Sequence, residues 1–254
     1  MINKLRLVVV LPAYNAEKTL EKTVSQLDIS AIDNVILVDD NSSDQTLVRS
    51  IELGVKSFRH SSNLGYGANQ KTCYKAALND EAEIIVLLHP DYQYSPKLVT
   101  PMAAMIASGE YDVILGSRIL AQNAVKGGMP LYKYIANRSL TLIENIIVGA
   151  KLSEYHTGLR AYSAEALRSI PFDENSNDFV FDNQILIQLM TAGARIGEIS
   201  CPTRYDDESS SINFFRSVKY GFGVLRTAMQ FRLNKMGLRK YDYLKVTPMN
   251  RDTN

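Results

Sequence analysis

A short run of side chains that can bind a metal ion follows one apolar segment of the chain. Residues 86–88 are apolar, and His89, Asp91 and Gln93 come directly after them. A carboxylate is costly to bury without a partner, so Asp91 must lie where water, a cation or a hydrogen-bond donor can reach it. Carboxylate and amide oxygens suit Mg²⁺ or Mn²⁺. Alternatively, Asp91 caps a helix that begins near residues 95–96.

Apolar segments and helical patterns alternate through the first half of the chain. The apolar segments lie at 5–11, 35–38, 55–58, 84–88 and 113–115, with helical patterns at 16–27, 43–53, 68–78 and 96–107 between them. Such continuous apolar strands predict an α/β fold with a mostly parallel sheet covered by helices on both faces. In these sheets, ligands bind beyond the carboxyl ends of the strands.

Polar side chains follow four of the predicted strands. They are Tyr14 and Asn15 after the first strand, Asp39, Asp40 and Asn41 after the second, His89, Asp91 and Gln93 after the fourth, and Ser117 and Arg118 after the fifth. Four polar strand ends on one edge of a sheet predict a binding site better than they predict four separate helix caps.

The composition limits the classes of protein to which the chain can belong. It has 254 residues, 46% of them hydrophobic, and a net charge of +1, which predicts a folded protein and argues against nucleic-acid binding. Cys73 and Cys201 lack metal-ligand spacing and are predicted to be buried free thiols in a reducing compartment. No signal peptide or membrane-spanning segment is visible, so we expect a cytoplasmic protein, soluble or attached to the cytoplasmic face of a membrane.

The regular alternation ends near residue 127. A helix is predicted at 131–148, followed by a polar segment at 153–160 and an acidic helix start at 178–182. Since no repeat or linker interrupts the chain, residues 1–211 are predicted to form one continuous domain. Residues 212–254 are predicted to form a basic amphipathic helix and tail.

Several common nucleotide-binding and hydrolase motifs are missing from the chain. Gly65 and Gly67 lack the third glycine of a dinucleotide-binding fingerprint, and neither a P-loop nor a G-x-S-x-G motif is present. The two glycines predict either a flexible turn or a helix N-terminus that meets a diphosphate.

Two segments, at 11–17 and 38–44, resemble motifs of glycosyltransferase family 2, whose members have the nucleotide-binding GT-A fold. The resemblance covers about residues 5–215. It implies that an aromatic ring and carboxylates hold the base and ribose of a nucleotide-sugar donor. The implied donor-binding residues are Pro12, Ala13, Tyr14, Asn15, Glu17, Asp39, Asp40, Asn41, Gly65 and Gly67.

Within this family the chain most resembles dolichyl-phosphate mannosyltransferases and bacterial polyprenyl-phosphate glycosyltransferases, through segments 63–67, 115–118 and 157–162. The metal motif of those enzymes reads D-x-D-x-Q. Here the second acid and the glutamine match, so the resemblance implies Asp91 and Gln93 as ligands of Mg²⁺ or Mn²⁺. His89 replaces the first acid. An imidazole can bind Mn²⁺ but lowers the negative charge that faces the diphosphate.

The same resemblance suggests catalytic roles around the metal ligand Asp91. A cation there would stabilise the departing diphosphate. Arg118 resembles the arginine that contacts an acceptor phosphate, which a guanidinium binds bidentately. Arg138 and Arg204 are weaker candidates for this role, and each could instead be a solvated surface cation.

The acceptor decides whether a general base is needed. A lipid phosphate is already anionic, whereas a hydroxyl acceptor requires a carboxylate, for which Glu154 and Asp182 are the candidates. A capping role is the alternative for both acids.

The segment at 212–239 has apolar residues at helical spacing, and no acid occurs at 209–241. A basic amphipathic helix predicts an interfacial membrane anchor. The alternatives are a helix that docks on the core and a contact in a homo-oligomer.

The family resemblance, together with the polar strand ends, implies a glycosyltransferase that moves a sugar from a UDP- or GDP-linked donor to a polyprenyl phosphate. The family resemblance implies inversion at the sugar. The alternatives are transfer to a sugar or glycan hydroxyl, and a catalytically silent protein that binds nucleotide sugars.

Overall fold

The computed structural model describes residues 1–120, 124–202 and 214–249. One sheet contains the strands β1 (Leu7–Ala13), β2 (Asn34–Asp39), β3 (Lys56–Arg59), β4 (Ile84–Leu87), β5 (Val113–Ser117), β6 (Arg160–Ser163) and β7 (Ile196–Ser200). The helices are α1 (Glu17–Val24), α2 (Thr46–Glu52), α3 (Tyr66–Asn79), α4 (Val99–Ala107), α5 (Leu131–Val148), α6 (Ala164–Arg168), α7 (Phe181–Ala192) and α8 (Phe214–Lys235). Single 3₁₀ turns lie at Pro96–Leu98, Phe172–Glu174 and Asp242–Leu244.

The order of strands across the sheet is β3-β2-β1-β4-β6-β5-β7. Every neighbouring pair is parallel except the two pairs that β6 makes with β4 and β5. The mostly parallel sheet predicted from the apolar segments is confirmed. Because β6 runs in the opposite direction, its first residue, Arg160, lies at the edge where β1, β2, β4 and β5 end.

Both faces of the sheet are covered, as the continuous apolar strands require. Val8 and Val10 of β1 pack into a core with α3, α6 and α7. Leu7 and Val9 of the same strand face the opposite core, to which α1 and α4 contribute. Alternate residues of one strand therefore fill two different layers.

Both cysteines are buried and free, in agreement with the sequence prediction. Burial raises the pKa of the Cys201 thiol to about 11 and that of Cys73 further. Neither thiol is therefore in the reactive thiolate form at neutral pH.

The last helix, α8, packs against α5 and α7. Its buried side chains Ala228 and Phe231 join a small core with Val148 and Ile187. One side of α8 thus docks on the protein. Ile212, Arg204 and the predicted boundary between residues 211 and 212 lie outside the described residues. Within the described ranges, none of the helices has the length and apolar content needed to span a bilayer.

Candidate active site

Hydrogen bonds join the loops that follow β1 and β2. The N–H of Asn15 donates to Ser42 Oγ (2.8 Å), and the N–H of Ser43 donates to Asn15 Oδ1 (2.9 Å). Asn15 and Asn41 have φ values of 52° and 61°, a conformation that asparagine adopts more readily than most residues. These loops leave Tyr14 56% exposed at the edge of the sheet.

Other residues for which the resemblance implies donor binding lie close to the end of the first strand. Pro12 and Ala13 are the last two residues of β1, and Glu17 begins α1. The Glu17 carboxylate accepts a hydrogen bond from the N–H of Gln45 (3.1 Å), just before α2. Asp39 ends β2 fully buried. The first two predicted motifs therefore form one continuous surface.

Asp40 connects β2 with the start of α3. Its carboxylate accepts hydrogen bonds from the N–H groups of Leu64 and Gly65, both at 2.9 Å, and lies 2.7 Å from His60 Nδ1. The N–H of Gly67 donates to Asn177 O (2.8 Å). The N–H groups of both predicted glycines are thus bound by protein oxygens. Contact of Gly65 and Gly67 with the donor stays a prediction.

The turn after β4 places the candidate metal ligands. Asp91 Oδ1 accepts a hydrogen bond from the N–H of Gln93 (3.0 Å), and Tyr92 between them has a φ of 58°. The helical turn at Pro96–Leu98 has no side chain capping it. Asp91 therefore does not cap that turn, which removes the structural alternative considered for it. Its carboxylate faces a cavity instead.

His89 is held beside this turn by two neighbours. Its Nε2 lies 3.0 Å from the Tyr66 hydroxyl, and the two rings stack with an interplanar angle of 13°. A Cβ at Gly158 would come within 2.7 Å of His89 Cδ2, so only glycine leaves room for the imidazole. Burial lowers the pKa of His89, which favours the neutral ring that binds metals.

Asp182 lies in the first turn of α7 and is tied to the same cluster. It accepts hydrogen bonds from the Tyr66 hydroxyl (2.6 Å) and from Gln70 Nε2 (2.9 Å). Arg160, fully buried, donates to the Asp182 carbonyl oxygen (2.7 Å). Asp182 does not cap α7, since that helix has no side-chain cap.

Arg118 and Glu154 form a buried ion pair at the end of β5. Arg118 donates to the Glu154 carboxylate from its backbone N–H (2.7 Å) and its Nε (2.9 Å), and also from a terminal guanidinium nitrogen. Asn137 Nδ2 adds a further hydrogen bond (2.8 Å). Burial alone would raise the pKa of Glu154, but the Arg118 charge and these hydrogen bonds outweigh it, so the pKa is lowered.

A cavity of about 220 Å³ unites these groups beyond the carboxyl ends of the strands. Its lining includes Tyr66, His89, Asp91, Gln93, Tyr94, Arg118, Lys133, His156, Gly158, Phe179, Asp182 and Tyr220. The candidate metal ligands and the positively charged side chains of Arg118 and Lys133 thus line the same cavity. Burial and the positive charge of Arg118 lower the pKa of the Lys133 ammonium.

The amino-acid sequence shows to which protein family the chain belongs. Residues 8–170 match the profile described as Glycosyl transferase family 2, which is more than half of the 254-residue chain. This chain belongs to glycosyltransferase family 2. The predicted family and enzyme class are confirmed.

Relatives of this glycosyltransferase match it over most of its length. An uncharacterized protein from Methanocaldococcus jannaschii is 33% identical over 224 residues, covering 88% of this chain and 91% of that protein. The UDP-N-acetylglucosamine–dolichyl-phosphate N-acetylglucosaminyltransferase of Methanococcus voltae is 27% identical over 253 residues, covering 93% of this chain and 99% of that protein.

A solved structure shares the fold. Mycobacterium tuberculosis glucosyl-3-phosphoglycerate synthase, crystallised with Mn²⁺, uridine diphosphate and phosphoglyceric acid, matches with a TM-score of 0.68. The sequence identity is 16%, and the match covers 94% of this chain and 81% of that chain. The GT-A fold predicted for this glycosyltransferase is confirmed.

The oxygen ligands after β4 suit a divalent cation whose remaining ligands a substrate would supply. Among the described residues, no three His, Cys, Asp or Glu side chains are grouped to bind a metal ion by themselves. Mg²⁺ is commonly bound by one or two carboxylates together with substrate phosphates, and Asp91 with Gln93 offers such a partial set. His89 adds a nitrogen beside them.

Sequence reasoning missed several cavity residues of this glycosyltransferase. Lys133 of α5, Phe179 just before α7 and Tyr220 of α8 belong to no recognised motif, and the fold brings these distant segments to the cavity. Tyr94 directly follows Gln93, so its place beside the candidate metal ligands was a usable signal. Tyr66 lies between the two glycines that were singled out, so its position in that motif was a usable signal. Arg138, a weaker candidate for the phosphate-binding arginine, is exposed on α5.

Proposed function

We propose that this family 2 glycosyltransferase moves a sugar from a nucleoside-diphosphate sugar to a polyprenyl phosphate. The observation that carries the proposal is the cavity in which Asp91 and Gln93 lie together with the cations Arg118 and Lys133. Oxygen ligands suit the metal-bound diphosphate of a donor, and a cationic wall suits a second phosphate. The Methanococcus voltae relative, named for transfer to dolichyl phosphate, supports this choice of acceptor.

On the donor side, Asp91 and Gln93 would hold Mg²⁺ or Mn²⁺, with His89 beside them. The cation would neutralise the negative charge that grows on the diphosphate as it leaves. Tyr14, Asn15 and the β2 loop would bind the nucleoside, while Tyr66 and Gly158 keep the His89 ring in place.

On the acceptor side, the contacts of the two candidate bases favour a phosphate. Glu154 is fully buried and its oxygens are bound by Arg118 and Asn137. Both Asp182 oxygens accept hydrogen bonds, from Tyr66 and Gln70. A hydroxyl acceptor needs a carboxylate that is available to take its proton, and both of these carboxylates already bind side chains of the protein, whereas a phosphate oxygen is already a nucleophile. We infer that Glu154 positions Arg118, and that Asp182 positions Tyr66.

We propose a single displacement with inversion. An oxygen of the acceptor phosphate forms a bond to the anomeric carbon, and the bond from that carbon to the donor diphosphate breaks. The products are a glycosyl polyprenyl phosphate and a nucleoside diphosphate. The electron pair of the broken bond stays on the diphosphate, and no proton has to be removed from the acceptor.

A transfer assay tests the proposed function. Purified protein, Mn²⁺ and radiolabelled UDP- and GDP-sugars would be incubated with a polyprenyl phosphate in detergent or, separately, with a panel of sugars and glycans. We expect label in the lipid phase, with the opposite anomeric configuration to the donor by NMR. Label only in the sugar fraction would reassign the acceptor to a hydroxyl. Nucleotide-sugar binding without transfer to any acceptor would support the silent binding protein instead.

Two helices beside the cavity expose apolar side chains that would meet the membrane carrying such an acceptor. On α5, Leu131, Tyr132, Ile135, Leu142, Ile143 and Ile146 are exposed, and on α8 so are Val218, Phe222 and Met229. The α8 residues recur at spacings of four and seven and so share one face. Exposed Arg216, Lys219, Arg226, Arg232 and Lys235 lie on the same helix. We propose that this surface contacts the cytoplasmic face of an anionic membrane.

Vesicle binding tests the membrane contact. The double variant Ile146→Gln/Phe222→Gln removes side chains that are 70% and 72% exposed. Its partition onto anionic vesicles should fall about tenfold or more, because each apolar side chain contributes roughly 1.5–3 kcal/mol when buried. Ile51→Gln is the control, since Ile51 is 63% exposed on α2, away from these helices. Equal partition of the wild type, the double variant and the control would contradict the proposal. If the wild type were a dimer and the double variant a monomer, this surface would instead be the interface with a second copy of the chain.

A further inference from the structure

A buried acid and a histidine lie behind the acceptor half of the cavity, and nothing in the proposed mechanism uses them. Glu144 of α5 is fully buried, and its Oε2 lies 3.4 Å from His156 Nε2. On the other side of the ring, His156 Nδ1 lies 2.8 Å from the Tyr220 hydroxyl of α8. His156 and Tyr220 line the cavity together with Arg118 and Lys133. The three side chains form a row that ends at the proposed acceptor site.

The hydrogen-bond partners of Glu144 are few. Its Oε1 accepts a hydrogen bond from Asn183 Nδ2, whereas Oε2 and His156 Nε2 have no hydrogen-bond partner among the described residues and lie 3.4 Å apart. Burial raises the pKa of Glu144 to about 8 and lowers the pKa of His156 to about 3. At neutral pH, the pair therefore consists of a protonated acid and a neutral imidazole.

Charged groups on the neighbouring elements also affect the pKa values of Glu144, His156 and Tyr220. Arg160 of β6 lowers the pKa of Glu144, of His156 and of Tyr220. Arg118 and Glu154 act on His156 with opposite signs, and Asp182 of α7 raises the pKa of Tyr220. Lys133 lies across the cavity. For Glu144, burial outweighs both the hydrogen bond from Asn183 and the charge of Arg160, so its pKa stays raised.

The protonation of Glu144 determines the direction of every hydrogen bond in the row. A protonated Glu144 can donate across the 3.4 Å to His156 Nε2, which would leave the single ring proton on Nδ1. That N–H then donates to the Tyr220 oxygen, so the Tyr220 O–H is free to donate into the cavity. When Glu144 is ionised, the ring proton is on Nε2 and faces the carboxylate. Nδ1 then accepts a hydrogen bond from the Tyr220 O–H, which no longer points into the cavity.

We propose that Glu144 and His156 are positioning residues that fix the Tyr220 hydroxyl as a hydrogen-bond donor to the acceptor phosphate, beside Arg118 and Lys133. This inference rests on the proposed function, since it needs a phosphate acceptor. A Tyr220 O–H that points into the cavity can donate a hydrogen bond to an anionic phosphate oxygen. It cannot take the proton that an acceptor hydroxyl must lose. The row therefore selects for phosphate.

The pH dependence of the KM for polyprenyl phosphate tests this proposal. For the wild type, this KM should rise about tenfold from pH 7 to pH 9, because only about a tenth of the protein then keeps the donor arrangement. The acceptor itself changes little over this range, since its second ionisation has a pKa of about 6 and is nearly complete by pH 7. In Glu144→Gln, the amide N–H replaces the acid proton and cannot ionise. That variant should keep the wild-type KM at pH 7 and show no rise at pH 9.

A second variant removes the donor itself. Tyr220→Phe should raise the KM for the acceptor about tenfold at pH 7, with the donor KM unchanged and no further rise at pH 9. Tyr243→Phe is the matched control, because its hydroxyl also contacts α8, through Gln230 (2.8 Å), but lies outside the cavity lining. Transfer to polyprenyl phosphate with a wild-type acceptor KM in Tyr220→Phe would overturn this inference and leave the proposed function intact.

The position of the ring proton can be read without any activity. The chain has three histidines, so ¹⁵N NMR of the full protein, with His156→Gln to assign the signal, reports the His156 tautomer. We expect the Nδ1–H form at pH 7 in wild type and in Glu144→Gln, changing to Nε2–H above pH 8 in wild type alone. An Nε2–H ring at pH 7 would overturn the inference. No transfer to any phosphate acceptor would overturn the proposed function and, with it, the role of Tyr220.

Discussion

Asp91→Ala is expected to lower the rate of sugar transfer by about 10³-fold or more while leaving the fold intact. A bound cation contributes several kcal/mol to stabilising charge in a transition state, and each 1.4 kcal/mol corresponds to a factor of ten in rate. Asp91 is the carboxylate of the candidate metal turn, and it lies partly exposed beside the cavity. The measurement is kcat at saturating Mn²⁺, together with the melting temperature.

The control for this variant is Asp28→Ala. Asp28 is an exposed acid in the turn before β2, at the opposite edge of the sheet. The control should keep wild-type kcat. If Asp91→Ala retained kcat within about threefold of wild type, Asp91 would not be a ligand of a catalytic cation.

Glu154→Ala is expected to destabilise the protein by about 3–5 kcal/mol, because it leaves the buried Arg118 guanidinium without its carboxylate. In a protein of this size, that corresponds to a fall of roughly 10 °C in melting temperature. Glu165→Ala, which removes an exposed acid on α6, should change the melting temperature by less than about 2 °C. A similar small change in Glu154→Ala would show that the ion pair does not hold the loops after β5 and before β6.

The same ion pair predicts how stability depends on pH. Since the folded protein lowers the pKa of Glu154, the carboxylate stabilises the fold at every pH above its unfolded value, roughly 4.3. That contribution is lost as the pH falls further, through the folded pKa. Glu154→Gln should therefore lose less stability than the wild type between pH 5 and pH 3. Parallel loss in both proteins would contradict the assignment.

The sequence predicted the first half of the fold because its strands are continuous apolar runs that end on polar residues. It could not predict β6, since Arg160–Ser163 has no apolar run and is held by pairing with β4 on one side and β5 on the other. Helix α8 shows a similar limit. Its apolar spacing predicted a helix, but packing on α5 and α7 decides that Val224 is buried while Phe222 is exposed.

For the site, motif spacing identified the residues that lie at strand ends, such as Asp40, Asp91 and Arg118. Motif spacing could not predict contacts between distant parts of the chain. Tyr66 reaches both His89 and Asp182, which lie on different elements far along the sequence. The pairing of Glu154 with Arg118 likewise depends on the fold, and it favours a positioning role over the role of general base that the sequence left open.

The position of the cation and diphosphate is the most direct test of this account. Crystals of the protein grown with Mn²⁺ and a nucleoside diphosphate, measured near the manganese absorption edge, would locate the ion by anomalous scattering. We predict a peak bonded to the Asp91 carboxylate and to diphosphate oxygens, with the nucleoside beside Tyr14. Manganese and diphosphate bound away from the turn after β4 would contradict the account.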